Sequence, residues 1–158
     1  MLICAKQYKQ EKLLKLNTDS TKIMAKRKPK TIAHLVDDAA VLLQKLVRMK
    51  AADEYGYAIC VCCGKRDHWK LMDGGHFISR KWIATKIMEE NIKPSCKRCN
   101  GFLHGNLVPF TLYMIEFYGK DFVEELQIKK NEIKKYTRDE ILEITKDFKE
   151  RIKELEAE

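Results

Sequence analysis

The chain has 158 residues, 45% of them hydrophobic and 34% charged, with a formal net charge of +8. That is the size of one ordinary domain with enough apolar side chains for a core, and no apolar run approaches the ~20 residues that a bilayer span needs. Lys6, Lys9, Lys12 and Lys15 interrupt the N-terminus before a signal-peptide stretch can develop, so the expectation is a cytoplasmic protein without membrane partners, in a compartment where paired cysteines more often hold metal than form disulfides.

The charge is unevenly placed. Residues 1–30 carry +7 and residues 60–106 carry +5, whereas residues 31–59 and 107–158 carry −1 and −3. A basic tail and a basic middle point to a phosphate-bearing polymer as partner. A tail that only solubilises is the plainer alternative.

Residues 1–30 read as a flexible basic tail outside the fold, broken by Pro29, with Cys4 incidental and Met24 a second possible start. Residues 31–158 read as one domain. Thr31 is a good N-cap, and Ile32, Leu35, Val36, Ala39, Leu42, Leu43, Leu46, Val47 and Met49 recur at helical spacing. They predict a leading helix over 31–56, about six turns long, stopped at Gly56. Asp37 and Asp38 are expected to face solvent, and His34 and His68 to be surface residues. Residues 57–106 are short-period and rich in Gly and Cys, predicting small strands, an extended hairpin arm over 71–78 and a short helix from about Lys97. Residues 109–131 predict a helix with Leu112, Ile115, Phe117, Phe122, Val123 and Leu126 apolar, broken or kinked at Gly119. The run Thr137-Arg138-Asp139-Glu140 is a capping box opening a last helix with Ile141, Ile144, Phe148, Ile152 and Leu155 on one face. The apolar faces of these closing helices, 107–158, are core or a partner-helix face.

Cys60 and Cys63, then Cys96 and Cys99, form two C-x2-C knuckles. Two residues between thiolates let one turn present both sulfurs to one ion, and four sulfurs satisfy tetrahedral Zn²⁺. With no open position the zinc is structural, clamping the ends of an insert too small to hold itself together. Cys62 points away from its neighbour and is left as a thiol outside the set.

Inside the clamp stand Asp73, His76 and Asn91, and Asn100 directly follows the last cysteine. On an extended arm Asp73 and Gly75 share one face and His76 takes the other, while Gly74 and Gly75 leave room beside the imidazole for a bulky ligand backbone. Oxygens from Asp73 and Asn100 suit Mg²⁺ or Mn²⁺, and a neutral His76 can take a proton from water. That set fits phosphodiester hydrolysis. A structural His, a turn Asp and a capping Asn are the plainer readings of the same residues. Arg80, Lys81, Lys97 and Arg98 flank the site as candidate phosphate contacts. Trp82 is a core residue or a base-stacking wedge.

The segments C-x2-C-G, D-G-G-H-F-I-S-R, N-I-K-P-S-C-K-R-C-N and G-N-L-V-P-F together resemble the NinG (Rap) recombination proteins of lambdoid phages, within the HNH or ββα-metal nucleases. The likeness runs from about Thr31 to the C-terminus. It implies a mostly helical α+β fold in which a zinc-stabilised ββα-metal core is flanked by a long N-terminal helix and C-terminal helices. It implies a structure-selective endonuclease cutting branched intermediates such as Holliday junctions and D-loops, inside the bacterial host of a phage. His76 matches the general base, Asn91 the Asn that braces the loop carrying it, Asn100 the last metal position, and the four cysteines the structural zinc set. Where many relatives carry a metal-binding Asp or His directly before the base, this chain has Gly75; Asp73, or His104 one turn beyond Asn100, is then the further ligand. Cutting two strands favours a homodimer through the closing helices. A generic nickase without branch preference and a zinc-stabilised DNA-binding module without catalysis are the competing readings.

Overall fold

A computed structural model describes residues 29–157; the basic stretch 1–28, with Cys4 and Met24, lies outside the described residues. The fold is α+β and mostly helical. Helix α1 spans Ile32–Lys50 and is capped by Thr31, whose hydroxyl accepts from the His34 N–H at 3.3 Å. It ends a turn and a half short of Gly56. The reason is Asp53, whose Oδ1 accepts from the backbone N–H groups of both Tyr55 and Tyr57, at 3.0 and 2.9 Å, and folds the chain into a turn.

Strands β1 (Tyr57–Ile59) and β2 (Arg66–His68) form an antiparallel hairpin with Tyr57 opposite His68. His68 accepts from the Lys70 N–H and stacks on Trp69, capping the 3₁₀ turn Trp69–Leu71; it is a structural residue and half-buried. Strand β3 (Asp73–His76) follows, and its partner is β4 (Ile92–Ser95), with Asp73 opposite Ser95 and His76 opposite Ile92. The arm expected over 71–78 is therefore shorter and belongs to no tight hairpin: a loop with the single-turn helix α2 (Ile83–Lys86) and a 3₁₀ turn (Glu89–Asn91) separates the two strands.

After β4 comes a five-residue π-helical turn, Arg98–Phe102. Helices α3 (Leu107–Tyr118) and α4 (Lys120–Lys129) are split at Gly119, whose φ of +87° no β-carbon-bearing residue adopts easily. Helix α5 (Arg138–Ala157) opens on the predicted capping box: Glu140 N–H donates to the Thr137 hydroxyl, and Thr137 N–H to the Glu140 carboxylate, at 3.2 and 2.7 Å.

One core lies between α1 and α5, where Val36, Ala39, Leu43, Leu46 and Val47 meet Ile141, Phe148 and Ile152, with Ile92 of β4 beneath them. A second joins Phe77 and Ile78 to Phe110, Met114, Val123 and Leu126. Leu112, Ile115 and Phe117, expected on an apolar face of α3, stand outside both and are exposed. Helix α1 also seats the strand that carries the histidine. A β-carbon on Gly74 would come within 2.8 Å of the Gln44 backbone, so this glycine is required for the helix to lie against β3.

Candidate metal centre and adjoining cleft

The sulfurs of Cys60, Cys63, Cys96 and Cys99 all lie within 4.8 Å of one another. Cys63 and Cys96 are 3.7 Å apart, close to the ~3.8 Å edge of a tetrahedron with 2.3 Å Zn–S bonds. Each knuckle is a closed turn. Gly64 takes φ +72° and donates its N–H to the Cys60 carbonyl at 2.9 Å, and Cys99 N–H points at the Cys96 sulfur at 3.4 Å. The four cysteines can hold a zinc ion. Cys62 stands outside the set, its sulfur 3.7 Å from the Gly105 carbonyl and 3.9 Å from the Ser95 hydroxyl. A hydrogen bond with the Cys62 thiol holds the Cys60 thiol down at about 3 and pushes that of Cys62 up, so Cys62 keeps its proton beside a Cys60 thiolate. Burial pushes the Cys99 thiol up to about 12. Ser95, fully buried, and Asn106, which donates to the Cys99 sulfur at 3.5 Å, complete the surroundings. Neither stood out in the sequence, although Ser95 directly precedes a ligand.

The knuckles pin the π-helical turn against β3 and β4, and a cleft of about 480 Å³ opens beside them, lined in part by Asp73, His76, Arg80, Asn100 and His104. Gln44 of α1 and Ser79 line it too, unforeseen because nothing local in the sequence brings α1 there. Asn100 Nδ2 donates to Asp73 Oδ2 at 2.9 Å. The contact passes over Gly75, where a β-carbon would lie 3.3 Å from Asn100 Oδ1 and 3.0 Å from the Ser95 β-carbon. The glycines therefore do not clear space for a ligand beside the imidazole: Gln44 fills the room over Gly74, and Ser95 and Asn100 fill that over Gly75. Lys97 pairs with the other Asp73 oxygen, so it is committed to a carboxylate rather than standing free for phosphate.

His76 is half-buried, and its Nε2 lies 3.0 Å from the Lys86 carbonyl. A carbonyl only accepts, so Nε2 carries the proton, and in the neutral ring Nδ1 keeps its lone pair. Burial, with a smaller contribution from the Arg80 charge, pushes the imidazole down to about 4 despite that bond. The ring is neutral at physiological pH. Asn91 has no exposed surface. It accepts from Ile78 N–H at 2.7 Å and donates to the carbonyls of Ile78 and Thr85 at 3.0 and 2.9 Å. It thus sews together the loop whose far end, Lys86, holds His76.

His104 also lines the cleft, but not as the next turn of a helix: the helical turn stops at Phe102, and His104 sits in a tight turn at φ +49°. Of the basic candidates, Arg80 faces the cleft, Arg98 is exposed on the π-helical turn, and Lys81 lies against the Trp82 ring. Trp82 itself is half-buried against the second core, with Lys130 also over its ring.

The sequence matches the family model described as the bacteriophage lambda NinG protein over residues 3–158. The chain belongs to the NinG family. Among curated relatives, the protein ninG of Escherichia phage lambda is 28% identical over 97 residues, 61% of this chain and 47% of that one. Those of Escherichia phage 933W and Enterobacteria phage VT2-Sa match with the same identity and coverage. The aligned part of this NinG-family chain spans about half the length of the curated relatives it matches. No solved structure matches it. Among the described residues, no helix is long and apolar enough to cross a membrane.

Asn91 gives a first test of how this NinG-family cleft is built. Asn91→Ala strands the Ile78 N–H and the Ile78 carbonyl, each costing about 1–3 kcal/mol when left unpaired, while the Thr85 carbonyl keeps the Ile87 and Met88 N–H groups. The variant is expected to lose at least about 2 kcal/mol of stability in urea unfolding, while its zinc content stays unchanged.

Proposed function

We propose that the chain is a metal-dependent endonuclease of the HNH, or ββα-metal, type that hydrolyses phosphodiester bonds in branched DNA, such as Holliday junctions and D-loops. The observation that carries this reading is the shared cleft: a neutral imidazole, a carboxylate–carboxamide pair and an arginine converge there, beside a thiolate clamp. The order β3, β4, helical turn agrees with a ββα arrangement, and the zinc would be its structural ion.

In this reading His76 is the general base. Its Nε2–H is anchored on the Lys86 carbonyl, so Nδ1 is the atom that accepts a proton from the attacking water. Asn91 positions the loop and does not touch the reacting atoms. Arg80 is placed to hold a phosphate in the cleft. One carboxylate and one carboxamide oxygen form a hard donor set that fits Mg²⁺ or Mn²⁺, with Asp73 and Asn100 as ligands and His104 as a further candidate on the same wall. Such an ion supplies stabilisation of the charge that builds on the phosphate and the leaving oxygen. For Asp73 to hold such an ion, its carboxylate would have to give up its pairs with Lys97 and with Asn100 Nδ2, and the Lys97 ammonium would then be free for DNA. A host-cell location follows from this activity, and a homodimer suits a two-strand cut, with Leu112 and Phe117 of α3 exposed for such pairing.

The test is cleavage of a four-way junction and of its linear arms in Mg²⁺ or Mn²⁺. The junction is expected to be cut faster. Equal rates would leave a generic nickase, and DNA binding without metal-dependent cleavage would leave a binding module.

A further inference from the structure

We propose that an apolar ridge on the rim of the cleft, tipped by Phe102, recognises the branch itself by stacking on bases that a junction leaves unstacked. This rests on the nuclease reading above and assigns its substrate preference to particular residues. Phe102 is 79% exposed, and Val108, Leu107 and Leu103 follow at 76%, 54% and 36%. These residues bracket His104 and Gly105, which line the cleft together with Asn100 and Leu107.

The ridge is displayed on a fixed support. Phe102 ends the π-helical turn that contains Cys99 and Asn100. Leu103 N–H donates to the Arg98 carbonyl at 2.8 Å, Gly105 N–H to the Cys99 carbonyl at 2.9 Å, and Asn106 N–H to the Leu103 carbonyl at 2.9 Å. The thiolate clamp and this backbone ladder fix the backbone from which the ring projects. A phenyl ring held in water gains nothing there; its favourable interaction comes only from an apolar partner.

Charge decides which partner. Arg80 lines the cleft, and Arg98 is exposed on the same turn as Phe102. Among the described residues the only carboxylate lining the cleft, Asp73, is already engaged by Lys97 and Asn100. A ligand that offers phosphates and flat apolar faces within one small patch is nucleic acid with accessible bases. In an intact duplex the base faces are covered by stacking, and the ridge has nothing to touch. At a branch point stacking is interrupted, and an aromatic can take the place of the missing neighbour. The ridge therefore adds affinity for a branch and none for linear DNA, without reading sequence. Trp82, the other aromatic with a wedge reading, packs against the second core, in line with its core reading.

The test uses wild type, Phe102→Ala and Phe102→Trp, with Ca²⁺ in place of Mg²⁺ so that binding can be measured without cutting. The probes are a four-way junction carrying 2-aminopurine at the branch and a linear duplex of the same arm sequence. Wild type is expected to quench the branch fluorophore. Phe102→Ala is expected to weaken junction binding about tenfold or more while linear binding stays within about twofold, and Phe102→Trp to restore both quenching and affinity. Junction binding unchanged in Phe102→Ala would overturn the ridge and leave the nuclease reading standing, as would equal weakening on both DNAs. Wild type that sediments as a dimer and Phe102→Ala as a monomer would assign the ridge to a second copy of the chain instead. Wild type that binds neither DNA would overturn the ridge and the nuclease reading together.

Discussion

Cys96→Ser is expected to release zinc and collapse the middle of the molecule while leaving much of the helical signal in place. The strands of the two small sheets are three or four residues long, and isolated two-stranded pairs of that size are marginal at best in water. Their cohesion comes from the third cluster, where Ala58 and Met72 pack around Cys60, Cys96 and Cys99. Four sulfurs binding one Zn²⁺ supply about 10–16 kcal/mol of apparent free energy near neutral pH in small zinc domains, comparable with the whole stability of an ordinary domain. Losing one thiolate from the set should therefore cost more than any single hydrophobic truncation in the cores. The check is metal content by mass spectrometry, with wild type carrying one zinc per chain, together with near-UV circular dichroism before and after chelator. Cys62→Ser is the matched control. Its sulfur contacts Ser95 and Gly105 and lies outside the four that come within 4.8 Å of one another, so that variant should keep its zinc. Zinc retained by Cys96→Ser and lost by Cys62→Ser would reverse the ligand assignment.

What could be read from the sequence was what acts over a few residues. The Thr31 cap, the Thr137–Glu140 box, the break at Gly119 and the two knuckles each depend on groups within four positions of one another, and each is present. The end of α1 was misplaced because Asp53, an unremarkable acid, captures two backbone N–H groups ahead of the glycine that looked like the stop. The larger omissions are non-local. Gly74 is flanked in sequence by residues that say nothing of Gln44, yet α1 decides why a glycine must stand there. The group that orients His76 is a backbone carbonyl ten residues on, and a carbonyl has no letter in the sequence. Exposure is equally silent: nothing in the sequence marks Phe102, which the structure leaves in water, while Trp82 packs against the second core in line with its core reading.

If the chain is the endonuclease proposed above, His76→Ala is expected to lower metal-dependent cleavage at least 10²-fold, the usual contribution of a positioned general base, with zinc content and helical signal unchanged. The pH profile makes the test specific. In the folded chain burial pushes this imidazole down to about 4, against about 6.5 in an unfolded chain. The folded ring is therefore neutral and able to accept a proton at every pH above about 4, and a bound divalent cation nearby would lower the value further. Single-turnover cleavage should show no acid limb from this group between pH 6 and 8; an exposed histidine acting as base would halve the rate near pH 6.5. The sign for stability runs the same way. As pH falls below about 6.5 the unfolded chain takes up a proton that the folded chain refuses until about 4, so the fold loses stability across that window and is at full strength above it. Replacing His76 by alanine should remove this contribution, making unfolding free energy less steep in pH between about 6.5 and 4 than in wild type. Proton resonances of the His76 ring that titrate near 6.5 in the folded protein would contradict the buried, carbonyl-anchored ring, and an acid limb near that pH lost in His76→Ala would mean that the base works from solvent rather than from behind the Lys86 carbonyl.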